Sequence, residues 1–173
     1  MNKARLEILQ KVPLFKGVKE NTLLRLAEAA RLVNFRAGDT ILGEGESGTE
    51  MYILTKGAVR ITKYITLHKS DAGLADMEKD LITLDAANNP FFGEMALLER
   101  DERTATVTAV TDVELLSIGY DQFEAIARQD YESAYHIVLH IARTLSSRLR
   151  KTNKDVVKLT TVLGIALARE KKG

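Results

Sequence analysis

The chain contains no cysteine. Disulfides, thiolate metal sites and cysteine nucleophiles are therefore excluded, and the composition is compatible with a reducing cytoplasm. Histidine is scarce as well, with only His68, His136 and His140. His136 and His140 stand at i and i+4 on a helical stretch, a spacing that can hold a metal. No glutamate or third ligand accompanies them, so they read as a structural or exposed pair. No run of about 18 apolar residues occurs, and the expectation is a soluble, cytoplasmic protein with no membrane partner. Charge of one sign is also missing. With 25 basic and 24 acidic residues the net charge is +1, so nothing draws the whole chain toward nucleic acid or an anionic surface, and any anion must be bound locally. No repeat at the period of a solenoid or propeller is visible.

The 173 residues, 45% of them hydrophobic, suit one domain with an extra helical segment. Leu6, Ile8, Leu9 and Val12 predict a short helix that Pro13 ends or kinks. Leu23, Leu24, Leu26, Ala27 and Ala30 predict a second helix from Glu20 to Arg31. At Val33 the pattern changes. From Asn34 to Ile118 short apolar runs alternate with glycine turns, and 51–54, 58–61 and 113–118 read as strands of a barrel or jelly roll. The polar stretch between Ile65 and Leu81 is expected to be an extended hairpin loop, either a partner-binding insertion or a solvated connection that tolerates length. After Gly119 the helical period returns, with a short helix from Asp121 to Arg128 and a long one from Tyr131 to Ala168. The expected fold class is mainly β with flanking helices. Residues 1–130 would hold the N-terminal helices and a double-stranded β-helix (jelly roll), and 131–173 the long C-terminal helix.

That long helix carries an apolar seam through Val138, Ile141, Leu145, Leu149, Thr152, Val156, Leu159, Leu163 and Ala166. The steps of three and four become a heptad-like alternation from Leu145 onward. At about 1.5 Å per residue the helix outruns a compact domain. Its far half is expected to pair with the same helix of a second copy, giving a homodimer; the other reading is an ordinary core helix broken near Asn153. Thr152 is polar within the seam, which costs stability and fixes register.

The densest chemistry lies in Phe92-Gly93-Glu94-Met95-Ala96-Leu97-Leu98, followed after four charged residues by Arg103-Thr104-Ala105-Thr106-Val107. One carboxylate and one guanidinium flank a single turn, beside a glycine that lets a ligand approach backbone. This is a site for a small anion that also carries hydroxyls. Glu94 can accept hydrogen bonds from a sugar diol, and Arg103 presents a planar fork suited to two phosphate oxygens. The N–H groups after Gly93 add donors and a favourable dipole for negative charge.

This spacing closely resembles the phosphate-binding cassette of cyclic nucleotide-binding domains. Phe35, Gly38, Ile41, Glu44-Gly45-Glu46, Tyr52-Ile53 and Gly57-Ala58-Val59 resemble the family's opening strands. The resemblance runs from Pro13-Leu14-Phe15 to Asn153. It implies that Glu94 binds the ribose 2′-hydroxyl and Arg103 the cyclic phosphate. Gly93 would bring backbone close to the sugar, and Ala105 would leave room beside the phosphate. Phe92, Met95, Ala96, Thr104 and Val107 complete the implied ligand-binding set of the cassette. Glu102 stands where many members carry proline, as in the bacterial catabolite activator branch. Asn88-Asn89-Pro90 replaces a usual glycine. Neither change removes a ligand contact. At Thr104 two readings stay open: tolerance of or preference for cyclic GMP, or a serine equivalent that helps hold the phosphate.

Leu145 to Val156 is similar to the dimer helix of the catabolite activator type. By that resemblance Thr152 meets the 6-amino edge of adenine, Asn153 falls where a serine of the second subunit does so, and Arg148 braces the ligand site. The competing reading is that Thr152 and Asn153 simply weaken the helix locally.

Catalysis is not indicated. Glu99-Arg100-Asp101-Glu102 pairs with no nucleophile or buried base, so it reads as a solvated turn rather than an acid-base cluster. Only twenty residues follow Asn153, so no helix-turn-helix is expected and DNA binding by that route is not anticipated. The expected function is a regulatory sensor module. It would bind cyclic AMP, with cyclic GMP as second choice and no cofactor, and signal through the C-terminal helix to an unknown downstream protein. The alternatives are a structural dimerisation module with a vestigial pocket and a metal-dependent jelly-roll enzyme.

Overall fold

The computed structural model describes residues 2–69 and 73–170, with side chains over 3–63 and 79–162. Helix α1 (Asn2–Lys11) stops before Pro13, which opens a 3-10 turn, Pro13–Phe15. Proline is tolerated there because the first turn of a helix has no use for its missing N–H. Helix α2 (Glu20–Ala29) ends two residues before the apolar spacing predicts. Ala30 is already extended, and Arg31 belongs to the first strand. The Arg5 guanidinium reaches back to the Ala30 carbonyl at 2.7 Å, supplying a donor at the helix end. Leu9, Val12, Leu14, Phe15, Leu23, Leu26 and Ala27 are buried.

Eight strands follow: β1 (Arg31–Phe35), β2 (Thr40–Leu42), β3 (Glu50–Lys56), β4 (Ala58–Lys69), β5 (Gly73–Asp85), β6 (Phe91–Phe92), β7 (Thr106–Ala109) and β8 (Val113–Gly119). They form two four-stranded sheets, in the orders β1-β8-β3-β6 and β2-β7-β4-β5, and every pairing is antiparallel. This is the expected jelly roll. Leu54, Phe92, Val113 and Leu115 of one sheet share a core with Leu42, Val59, Val107 and Ala109 of the other. In β3 and β8 the alternate residues Met51, Ile53, Leu116 and Ile118 are buried as well, so both strands are buried on both faces.

The stretch expected to be a loop is instead a long hairpin. β4 and β5 pair from Ala58↔Asp85 out to Lys69↔Gly73, with one irregularity between Ile61 and Thr62. Backbone pairing needs no apolar side chains, so a ladder continues where the hydrophobic pattern that reveals a half-buried strand has stopped. Of the expected loop, Ser70, Asp71 and Ala72 lie outside the described residues.

Helix α3 (Tyr120–Ala127) leads into α4 (Tyr131–Glu170). The chain divides into two compact units, Met1–Ile137 and Val138–Gly173, so the first turns of α4 belong with the barrel and the rest of the helix is the second unit. Asp130 caps α4. Its carboxylate accepts from the Ser133 N–H at 3.2 Å and the Ser133 hydroxyl at 2.6 Å, and from the Thr22 hydroxyl of α2 at 2.6 Å. The Ser133 oxygen in turn accepts from the Lys19 N–H at 3.1 Å, and the Lys19 ammonium lies 3.6 Å from Asp130. Thr22 and Ser133 are both buried. In the second unit Leu149, Val156 and Leu159 of the predicted seam are exposed, together with Val157 and Val162. The side chains of Leu163 and Ala166 lie outside the described residues.

Candidate functional site

Gly93 follows β6 with φ 71° and ψ 15°, a left-handed conformation that glycine adopts without a Cβ penalty, and it opens the 3-10 turn Glu94–Leu97. The turn buries Glu94, Ala96 and Leu97 and leaves Met95 half-buried. Glu94 is only 2% exposed. One N–H at this turn is already engaged, because Ala96 donates to the Gly93 carbonyl at 3.1 Å.

Arg103 lies against the same turn. Its N–H donates to the Glu46 carbonyl at 2.8 Å, and its own carbonyl accepts from Gly45 at 2.9 Å, so the 43–46 turn clamps its main chain. Arg103 is 9% exposed, and its guanidinium donates to the carbonyls of Glu50 at 2.8 Å and Gly93 at 3.4 Å. Two glycines make its slot. A Cβ at Gly93 would fall 3.1 Å from Nη1, and one at Gly48 would fall 2.5 Å from Nε and Nη2. Gly48 was legible in the sequence only as one turn glycine among several.

Burial pulls the Arg103 guanidinium below its ordinary pKa, against the attraction of Tyr52, Glu50 and Glu46. It remains a cation at neutral pH. Among the described residues no carboxylate forms an ion pair with it. Glu50 is occupied elsewhere, accepting from the Tyr52 hydroxyl at 2.9 Å and pairing with Arg31. Burial pushes the Glu50 carboxyl up, but Tyr52 and Arg31 outweigh it and hold the group below its ordinary range. Burial and the Glu50 hydrogen bond push the Tyr52 phenol up to about 12. Tyr52 also stacks on Phe92, with ring centroids 5.6 Å apart, which fixes β6 just before Gly93.

The fold thus brings Gly93, Glu94, Met95, Ala96 and Arg103 together. Thr104 is exposed and Ala105 half-buried where the chain leaves Arg103. Phe92 and Val107, counted in the predicted ligand set, belong to the hydrophobic core, so their side chains hold the strands on either side of the site. Arg148, Thr152 and Asn153 lie in the second unit as exposed residues of α4. A depression of about 540 Å³ lined by Asn34, Arg36, Lys56, Asp112 and Glu114 lies at the opposite ends of β1, β3 and β8. Its acidic groups are already engaged: Asp39 and Asp112 accept from backbone N–H groups, and Glu114 lies 3.5 Å from Lys56. Among the described residues no group of three His, Asp or Glu side chains is placed to hold a metal, and no helix is long and apolar enough to cross a membrane.

Residues 32–130, more than half of the chain, match the family of the cyclic nucleotide-binding domain. The chain belongs to that family. It is a cyclic nucleotide-binding regulatory domain, and its curated relatives include bacterial regulators of the CRP-like type. The CRP-like cAMP-activated global transcriptional regulator of Mycobacterium tuberculosis is 28% identical over 153 residues, an alignment covering 88% of this chain and 62% of the regulator. Isozyme 1 of the cGMP-dependent protein kinase of Drosophila melanogaster is 31% identical over 119 residues, covering 68% of this chain and 14% of the kinase. Among solved structures, the catabolite activator protein of Thermus thermophilus superposes with a TM-score of 0.65 at 28% identity, covering 86% of this chain and 63% of that one. The chain therefore spans less than two thirds of the length of these relatives.

Proposed function

We infer that the domain binds cyclic AMP, with Arg103 taking the cyclic phosphate and Glu94 the ribose 2′-hydroxyl. The observation that carries this reading is a buried arginine whose guanidinium donates to two carbonyls and, among the described residues, forms no ion pair with a carboxylate. Such a cation is costly to bury, and an arriving phosphate supplies the missing negative charge in the geometry that a planar fork favours. Gly93 and Ala105 leave room for sugar and phosphate, and Met95 and Ala96 border the turn. The cAMP-activated relative supports the adenine nucleotide. Thr104 and the cGMP-dependent kinase relative favour cyclic GMP as the second ligand.

The exposed row Leu149, Val156, Leu159 supports a homodimer formed through α4. By family resemblance Thr152 and Asn153 are the candidates for the base edge, and Arg148 for bracing the site. Ligand would then stabilise whichever arrangement of cassette and helix makes the additional contacts, by no more than its differential affinity for the two arrangements. The setting is cytoplasmic, and the output passes to a downstream protein.

Calorimetric titration of the wild type and of Arg103→Ala with both nucleotides tests the site. Removing one member of a desolvated charge pair costs about 2 to 5 kcal/mol, so the variant should lose most of its affinity while remaining folded. Unchanged affinity in a folded variant would overturn the assignment.

A further inference from the structure

β4 pairs with β7 only as far as Thr62↔Thr106, while its other edge continues along β5 toward Lys69↔Gly73. Residues 103–105 therefore run beyond the end of the β4–β7 ladder, and backbone pairing no longer fixes them to β4. At this point a side chain takes over. The Lys63 ammonium, one residue past the last pair, donates to the Thr104 carbonyl at 3.2 Å. It also lies 3.3 Å from the Glu44 carboxylate, and the Glu44 N–H donates to the Thr106 hydroxyl at 3.1 Å. The segment that follows Arg103 is thus tied on one side by the 43–46 turn and on the other by a lysine from the hairpin.

Resting on the reading of Arg103 as the phosphate contact, we propose that Lys63 is a positioning residue for the phosphate end of the nucleotide site, acting through the Thr104 carbonyl. A charged donor at that carbonyl holds the Thr104–Ala105 backbone in place and polarises its peptide groups. It also adds positive potential beside Arg103, which Glu44 partly offsets. Lys63 is about half exposed, so the effect is moderate. The contact couples the root of the long hairpin to the anion site, so a load on the hairpin reaches the phosphate through one ammonium group.

The test compares the wild type with Lys63→Met and Lys63→Arg by calorimetric titration with cyclic AMP and cyclic GMP, at low and high salt, with ligand-free thermal unfolding of each. Lys63→Met should raise Kd about two- to tenfold, the range of one ordinary hydrogen bond, with a shallower salt dependence and an unchanged ligand-free melting temperature. Lys63→Arg, which keeps the charged donor, should restore both the affinity and the salt dependence. A Lys63→Met protein that binds like the wild type overturns the proposal. So does a Lys63→Arg protein as weak as Lys63→Met, because the charged donor would then be irrelevant. If the wild type itself binds neither nucleotide, the reading of the site fails and takes this inference with it; wild-type binding together with an indifferent Lys63→Met fails the inference alone.

Discussion

Gly48 sits against Arg103 so closely that one added methyl group should disturb the whole anion site. An ideal Cβ at this position falls 2.5 Å from Nε and Nη2 and 2.7 Å from Cζ of Arg103, whereas ordinary contact begins near 3.4 Å. The obstacle is the end of a flexible side chain, so the guanidinium must yield, by about 0.9 Å. A shift of that size away from Glu50 takes the 2.8 Å hydrogen bond to its carbonyl out of range. A hydrogen bond to a charged group is worth about 1.5 to 3 kcal/mol. Gly48→Ala should therefore lower ligand-free stability by up to that amount and raise Kd about ten- to a hundredfold. The decisive assay is a double-mutant cycle by urea unfolding on wild type, Gly48→Ala, Arg103→Ala and the double variant. The three atoms nearest the new methyl group all belong to the guanidinium, so Gly48→Ala should cost much less in the Arg103→Ala background. Additivity within about 0.5 kcal/mol would show that residues 48 and 103 do not interact and would refute the argument.

Glu94→Gln should weaken cyclic AMP more than its 2′-deoxy analogue, by about 1.5 to 3 kcal/mol for the ribonucleotide; equal losses would make Glu94 structural. Replacing Val156 and Leu159 together by lysine should abolish pairing of α4, read by sedimentation, and a wild type that is already monomeric at high concentration would remove the dimer from the proposal. The Ser133 hydroxyl, the Thr22 hydroxyl and the Ser133 N–H hold the Asp130 carboxyl well below its ordinary range. A depressed carboxyl contributes stability above its unfolded pKa of about 3.9 and loses it as pH falls below that value. Asp130→Asn should therefore be less stable at neutral pH and show a flatter acid limb, whereas an unchanged limb would mean that Asp130 is not linked to folding.

The turn and the two polar anchors were legible because chemistry and spacing coincide in one short segment: Glu94 and Arg103 are nine positions apart and flank a glycine that the left-handed turn requires. What surrounds Arg103 was not legible. Gly48, Glu50 and Tyr52 reach it only through the pairing of β3 with β6 and β8, and no local pattern encodes such an approach. The hairpin failed for a different reason. Its outer part is rich in polar residues, and the backbone pairing from Ala58↔Asp85 to Lys69↔Gly73 needs no particular side chain, so the sequence carries little signal for it. The α4 cap is a residue that the reading of a helix from Tyr131 missed, although a signal for it exists: an aspartate directly before a helical stretch, here Asp130 with Ser133 three residues on, fits an N-cap.

The network around Asp130 bears on where this protein can be cut. Residues 32–130 are the part that matches the family, and a fragment with those ends would retain all of the eight strands except Arg31 at the start of β1. It would also remove Lys19 and Thr22 on one side and Ser133 on the other, leaving Asp130 as a terminal residue without any of these three partners. The same cut would strip α1 and α2, and with them the buried side chains of Leu9, Leu23, Leu26 and Ala27. The network around Asp130 therefore extends beyond both ends of the segment that matches the family. Lys19 and Thr22, before the first strand, and Ser133, in the first turn of α4, are distant in sequence yet meet on one carboxylate.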